Sequence, residues 1–67
     1  MKQRRNTREE ILDVALSFFS TKGYDATSLS DISGMLGITK AALFKHFDSK
    51  EEILDSIIKM MDAEDRN

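Results

Sequence analysis

Residues 27–54 have the sequence TSLSDISGMLGITKAALFKHFDSKEEIL, and this stretch predicts the fold. Ser28 can cap the start of a short helix, and Asp31 completes a capping box with it, because each side chain pairs with a backbone N–H group that the helix leaves unpaired. Gly37 interrupts the helical pattern, and Thr39 can cap the helix that follows. Two short helices joined by a three-residue turn that contains glycine are typical of the helix-turn-helix motif.

Apolar residues recur in this stretch at helical spacing. In the first short helix, Leu29, Ile32 and Leu36 form a stripe along one side. In the second, Leu43 and Phe47 are four residues apart and therefore lie on the same side. Both sets should face a common core, which leaves the other sides of the two helices exposed.

A longer helix is predicted before this stretch. Thr7 and Glu10 fit a capping box, and apolar residues between Ile11 and Phe19 fill one broad arc at 100° per residue. Helix 1 should therefore run from about residue 8 to residue 22. Gly23 is placed to end it, because the residue just past a helix often has a positive φ, which glycine adopts without a Cβ clash.

A fourth helix is predicted after the stretch, starting either with Asp48 and Glu51 or with Ser49 and Glu52. Its apolar residues share one face: Ile53, Leu54, Ile57, Ile58 and Met61. The fold class is therefore all-α, a three-helix helix-turn-helix domain followed by the start of a fourth helix. We expect a basic N-terminal arm at residues 1–6, the helix-turn-helix domain at 7–48 and the fourth helix at 49–67.

Charge is distributed unevenly along a chain whose formal net charge is −2. Residues 1–8 contain four basic residues and no acid, whereas residues 48–67 contain seven acids and three bases. Between residues 36 and 47 the ionisable residues are all bases: Lys40, Lys45 and His46. The second predicted helix of the motif therefore lies in a local positive zone, although an acidic chain is not the usual composition of a nucleic-acid binder.

Composition excludes several classes of site. The 67 residues contain no cysteine and a single histidine, so neither a disulfide framework nor a multi-histidine metal site is available. No apolar run approaches the roughly 18 residues of a membrane span. Neither a glycine-rich phosphate loop nor the sequence motifs of common hydrolases are present, so we expect no enzyme, no metal and no cofactor.

The stretch from residue 27 to residue 54 resembles the DNA-binding domain of the TetR family of bacterial transcriptional regulators, and ILDVALSFFSTKGYDAT, residues 11–27, resembles that family's first helix. The resemblance covers about residues 7–58. It rests on several spaced features: Phe19, Gly23-Tyr24, Thr27-Ser28, Asp31-Ile32, Gly37-Ile38, Leu43, His46-Phe47 and Lys50-Glu51.

The resemblance implies roles for particular residues. Thr27 and Ser28 would contact phosphate from the start of helix 2, and Lys50 would do so from the start of helix 4. Thr39 and Lys40 would contact phosphate or bases from the start of helix 3. The implied DNA-binding set is completed by residues on or just after helix 3: Ala41, Ala42, Phe44, Lys45 and His46.

Two of these residues depart from the family pattern. The family usually has tyrosine at the position of Phe44, so a hydroxyl that would reach phosphate is missing, and the ring can either pack or meet a thymine methyl group. Glycine is common at the position of Ala41, and its Cβ could alter how closely the helix approaches the bases. His46 is expected to be structural or to contact phosphate weakly.

The resemblance also implies partners and a setting. We expect double-stranded DNA with a palindromic operator, a homodimer in the full-length protein, and a small-molecule inducer bound by a C-terminal domain that these residues do not supply. Such a protein would be a cytoplasmic bacterial regulator, in many cases a ligand-responsive repressor. The alternative is a small helical protein-interaction module that uses the apolar face of helix 4, where Met60 and Met61 could serve a partner or fill gaps in a core.

Overall fold

The computed structural model describes residues 6–65, and side chains for residues 6–62. Four helices follow one another: α1 (Thr7–Thr21), α2 (Leu29–Leu36), α3 (Lys40–Phe44) and α4 (Lys50–Asp65). Within these residues there is no strand, which confirms the all-α prediction. None of the described helices is long and apolar enough to cross a membrane.

The core is small and draws on every helix. α1 packs against α2 and α4, and α2 packs against α3. The buried apolar residues are Ile11, Leu12, Ala15, Ile32, Leu43, Phe47, Ile53 and Ile57. The predicted core positions of α3 are thus confirmed, although Phe47 lies beyond the end of the helix. Two of these core residues, Ile53 and Ile57, belong to α4. The proposed domain boundary between residues 48 and 49 stays a prediction.

Polar side chains fix where the two helices of the motif begin. The Ser28 Oγ accepts a hydrogen bond from the Asp31 N–H at 3.1 Å, and the Asp31 Oδ2 accepts one from the Ser28 N–H at 3.0 Å. The Thr39 Oγ1 accepts one from the Ala42 N–H at 3.0 Å. The capping box of α2 and the cap of α3 are therefore confirmed.

The predicted capping box at the start of α1 is wrong. Asn6, not Thr7, is the N-cap, and its Oδ1 accepts a hydrogen bond from the Glu9 N–H at 2.9 Å. Thr7 already belongs to the helix, because asparagine one residue earlier offers an equally suitable acceptor. Residues 1–5 of the predicted basic arm lie outside the described residues.

The start of α4 follows the second of the two predicted alternatives. The Ser49 Oγ accepts a hydrogen bond from the Glu52 N–H at 3.2 Å, while the Glu52 Oε1 accepts one from the Asp48 N–H at 2.6 Å. Asp48 contributes its backbone N–H to this arrangement, and the side-chain cap is supplied by Ser49.

Gly37 gives the turn its shape. Its φ of 72° lies in the left-handed region. The Gly37 N–H donates to the Gly34 carbonyl at 3.2 Å and the Ile38 N–H donates to the Ser33 carbonyl at 3.0 Å. These two bonds form a Schellman motif, which ends α2 and directs the chain toward α3.

A matched pair of glycine substitutions tests this turn. A Cβ at Gly37 or at Gly34 would meet no atom within 4 Å, but only Gly37 has a positive φ. Gly37→Ala should lower the free energy of unfolding by about 1 kcal/mol or more, whereas Gly34→Ala, inside α2, should raise it by about 0.5–1 kcal/mol. Urea unfolding followed by circular dichroism measures both. Equal stability of the two variants would contradict the left-handed turn.

The capping box of α2 should also make stability depend on pH. The Ser28 backbone N–H, and after it the Lys22 ammonium, 3.0 Å from the Asp31 carboxylate, hold the pKa of Asp31 below its ordinary value. A lowered pKa in the folded state contributes stability that is present above the unfolded pKa and is lost as pH falls through the folded pKa.

Asp31→Asn tests that dependence. The variant should melt at a lower temperature than the wild type at pH 7, and this difference should shrink as pH falls below about 4, where the unfolded carboxyl is protonated. Thermal unfolding from pH 7 to pH 2 measures it, with the exposed Asp62→Asn as the control. A difference in melting temperature that stays constant across this range would show that the Asp31 charge does not stabilise the fold.

Candidate nucleic-acid interface

α3 presents one side to the core and the other to solvent. Leu43 is fully buried and fixes the rotation of the helix about its axis. The remaining residues around α3 form one continuous outer surface, which we call the α3 surface: Thr39, Lys40, Ala41, Ala42, Phe44, Lys45 and His46. All of them are exposed except Ala42, which is half-buried. The structure therefore brings together seven of the ten residues predicted to bind DNA, because they flank a single anchored residue.

The α3 surface is positively charged. Within the part of the chain that the structure describes, neither Lys40 nor Lys45 forms a salt bridge, whereas Lys22 pairs with Asp31 and Lys59 pairs with Asp55. The ammonium groups of these two lysines are thus not engaged by a carboxylate of the described residues. Their position on an exposed, short helix suits contact with phosphate groups, which attract cations without regard to sequence.

Ser28 lies at the start of α2 and is exposed. Its oxygen accepts the Asp31 N–H, and its side chain also hydrogen-bonds the Asp31 carboxylate, so a phosphate contact would compete with that bond. The Thr39 oxygen caps α3, and its hydroxyl can still donate to phosphate. Both positions are compatible with the predicted phosphate contacts.

Thr27 has a different environment from the one predicted. Its side chain is only 2% exposed, and its Oγ1 donates to the Gly23 carbonyl at 2.8 Å. Its backbone N–H donates to the Tyr24 carbonyl at 3.2 Å. The hydroxyl therefore holds the loop between α1 and α2, and no exposed side-chain group remains to support the predicted phosphate contact.

Lys50 is engaged with the protein itself. Its Nζ donates to the Tyr24 carbonyl at 2.7 Å and to the Thr27 carbonyl at 2.8 Å, and lies 4.3 Å from the centroid of the Tyr24 ring. Two of the three ammonium donors are thus used inside the domain. Sequence reasoning assigned Lys50 to phosphate and missed this contact, because nothing in the spacing of the residues indicates that α4 begins beside the loop between α1 and α2.

Tyr24 completes this junction. Its ring packs against Phe19 with centroids 5.1 Å apart. A tyrosine is neutral at pH 7, and burial, then the carboxylates of Glu51 and Asp25, raise the pKa of the Tyr24 phenol further. The cation and the ring therefore attract each other through the ring's quadrupole.

Lys50→Met should reveal the internal role of this lysine. The substitution keeps a long apolar side chain but leaves two partly buried carbonyls without their donor, so we expect a loss of about 1–3 kcal/mol in the free energy of unfolding. Lys45→Met is the matched control, because Lys45 is exposed and should tolerate the change. Thermal unfolding of both variants measures the difference. If Lys50→Met melts with the wild type, the contact contributes nothing to stability.

The sequence matches a known protein family and named bacterial regulators. The family described as "Bacterial regulatory proteins, tetR family" matches residues 11–57. The biofilm operon icaADBC HTH-type negative transcriptional regulator IcaR of Staphylococcus aureus (strain Newman) is 46% identical over 52 residues, which cover 78% of this chain and 28% of the relative. IcaR of Staphylococcus epidermidis is 52% identical over 46 residues, which cover 69% of this chain and 25% of that relative. The chain thus spans about a quarter of the length of these relatives.

Solved structures show the same fold. CprB, a TetR family protein from S. coelicolor A3(2), aligns with a TM-score of 0.87 at 35% identity, covering 92% of this chain and 32% of CprB. The ketosteroid transcriptional regulator KstR2 of Mycobacterium tuberculosis aligns with a TM-score of 0.78 at 37% identity, covering 85% of this chain and 29% of KstR2. The family match and the shared fold agree, and the chain belongs to the tetR family of bacterial regulatory proteins.

Proposed function

We propose that this chain binds double-stranded DNA, with α3 in the major groove and the start of α2 against the phosphate backbone. The observation that carries the proposal is the two-sided character of α3. Leu43 ties one side of the helix to the core, and the other side exposes Lys40 and Lys45 without salt-bridge partners among the described residues. In helix-turn-helix proteins it is this second helix whose N-terminal residues contact base edges.

The residues of the α3 surface divide by what they can contact. Lys40 lies in the first turn of α3, where an ammonium can donate to guanine O6 or N7 as well as to phosphate. Lys45, just past the helix, is better placed for phosphate. Ala41 and Ala42 are small, which allows the backbone of α3 to come close to the floor of the groove.

The wider function is proposed from the family and the named relatives. We infer that the full-length protein is a homodimeric regulator that acts in the cytoplasm on a palindromic operator, and that a further domain binds a small-molecule inducer. IcaR is named a negative regulator, which supports repression as the mode of action. The family consists of regulatory proteins and not of enzymes.

The alternative function, a protein-interaction module, has one observation in its favour. Ile58 and Met61 on α4 are 54% and 47% exposed, so the apolar face of α4 extends beyond the core. Met60 is exposed as well, and neither methionine fills a gap in the core. Binding through such an apolar face would be nearly indifferent to salt, whereas DNA binding weakens steeply as salt rises.

A salt titration with matched lysine variants separates the two functions. We expect the chain to bind a random-sequence 30-bp duplex with a dissociation constant of about 10⁻⁴ to 10⁻⁶ M at physiological salt. Lys40→Ala and Lys45→Ala should each reduce the slope of log affinity against log salt by about 1, the share of one neutralised phosphate.

Lys59→Ala is the control for that titration. Lys59 is also exposed, but it lies on α4 and pairs with Asp55 at 3.3 Å. Its removal should leave the slope unchanged. Fluorescence anisotropy between 20 and 200 mM salt measures all the variants. If Lys59→Ala lowered the slope as much as Lys40→Ala does, the α3 surface would not be the DNA-binding surface.

A further inference from the structure

We propose that Ala41 and Phe44 form an apolar contact for the C5-methyl group of thymine, and that this contact gives the chain a preference for methyl-bearing base pairs. We call the two residues the apolar strip. The inference rests on the proposed DNA binding and adds to it a specific chemical group on the DNA, together with the residues that recognise it.

Ala41 and Phe44 are three residues apart in α3 and both are exposed, so they lie beside each other on the side of the helix away from the core. Phe44 is 44% exposed and belongs neither to the core nor to the half-buried residues packed against it. Nearly half of the surface of Phe44 is therefore open to a partner, and the apolar strip faces the same side as the lysines that flank it.

The side chains of the apolar strip are purely hydrocarbon. A phenyl ring and a methyl group have no hydrogen-bonding atoms, so they can gain from DNA only by apolar contact. In the major groove the distinctive apolar group is the C5-methyl of thymine, which alanine and phenylalanine are both suited to contact. Phosphates and base-edge acceptors would gain nothing from the apolar strip.

The rest of the α3 surface lacks the guanidinium and amide side chains that read a base with two hydrogen bonds. Residues 39–46, TKAALFKH, include no arginine, asparagine or glutamine, the side chains that form bidentate pairs with guanine or adenine. The lysines can donate to guanine, but a single flexible ammonium discriminates less than a planar bidentate group. Apolar contact with methyl groups therefore contributes a larger share of base readout than in a surface rich in such side chains.

The test removes the methyl group from the DNA instead of from the protein. Alternating poly(dA-dT) and alternating poly(dA-dU) differ only by the C5-methyl at each pyrimidine. Burying one methyl group is worth about fourfold in a binding constant. The wild-type chain should accordingly bind the thymine polymer about fourfold more tightly per site than the uracil polymer, as measured by competition anisotropy at 20 mM salt.

Two protein variants assign this preference to the apolar strip. Phe44→Ala should bind both polymers more nearly equally, while a thermal-unfolding midpoint well above the assay temperature shows that the core holding α3 is intact. Lys45→Ala should bind both polymers more weakly and keep the fourfold ratio, since a phosphate contact does not depend on the methyl group. Phe44→Tyr keeps the ring and should keep the ratio as well.

A second polymer pair isolates the methyl group from other properties of A·T pairs. Poly(dG-dC) and its 5-methylcytosine counterpart carry the same change at the same position of the groove, and the wild type should prefer the methylated form. Equal binding within both polymer pairs would overturn this inference and leave DNA binding intact. A ratio unchanged by Phe44→Ala would also overturn it. Failure to bind any polymer at 20 mM salt would overturn the proposed function, and the inference with it.

Discussion

The ammonium group of Lys50 holds the start of α4 against the loop that leads into α2, and the arrangement of the motif depends on this junction. The two carbonyls that it bonds belong to Tyr24 and Thr27, which are 26 and 23 positions away in the chain. An ammonium has three donors and no acceptor, so one side chain can satisfy both carbonyls at once. The caps, by contrast, join residues only three or four positions apart. The loop that leads into α2 is consequently bonded to a residue that lies outside the two helices of the motif.

The core supports the motif with few residues. Ile32 of α2 and Leu43 of α3 are both fully buried, and they meet Ile11 of α1 and Ile53 of α4 in one cluster. A domain of about this size buries only ~60% of the surface that its unfolded chain exposes, so each of these side chains is a large fraction of the total stability. Because so little apolar surface is available, the positions of the helix ends depend on the caps and on the left-handed glycine more than they would in a larger domain.

Features that depend on neighbouring residues predicted much of the fold, whereas contacts between distant residues were not predicted. The capping box at Ser28, the cap at Thr39 and the turn at Gly37 depend on neighbours within about four residues, which the sequence displays directly. Asn6 was missed because two adjacent polar residues could each cap α1, and only the backbone conformation decides between them.

The roles of Thr27 and Lys50 were not predicted, because they depend on contacts between residues that are distant in the sequence. A threonine before a helix and a lysine at the start of another both look like exposed polar residues, and their burial and bonding follow from where α1, α2 and α4 meet. The α3 surface was predictable because its residues are consecutive. For Phe44 the outward position was implied by the family resemblance alone, since packing and exposure were equally compatible with the pattern of residues.

The short length of α3 links its order to the order of the whole domain. A helix of five residues does not persist in water, so α3 keeps its shape because Leu43 and Phe47 are held in the core. The hydrogen-bonded amide of Leu43, which donates to the Thr39 carbonyl at 3.1 Å, can exchange with deuterium only when that anchorage opens, whereas α1, with fifteen residues, can open from its ends. Warming that loosens the core would consequently disorder α3 first. Most of the helical circular dichroism signal comes from α1 and α4, and it would still be present.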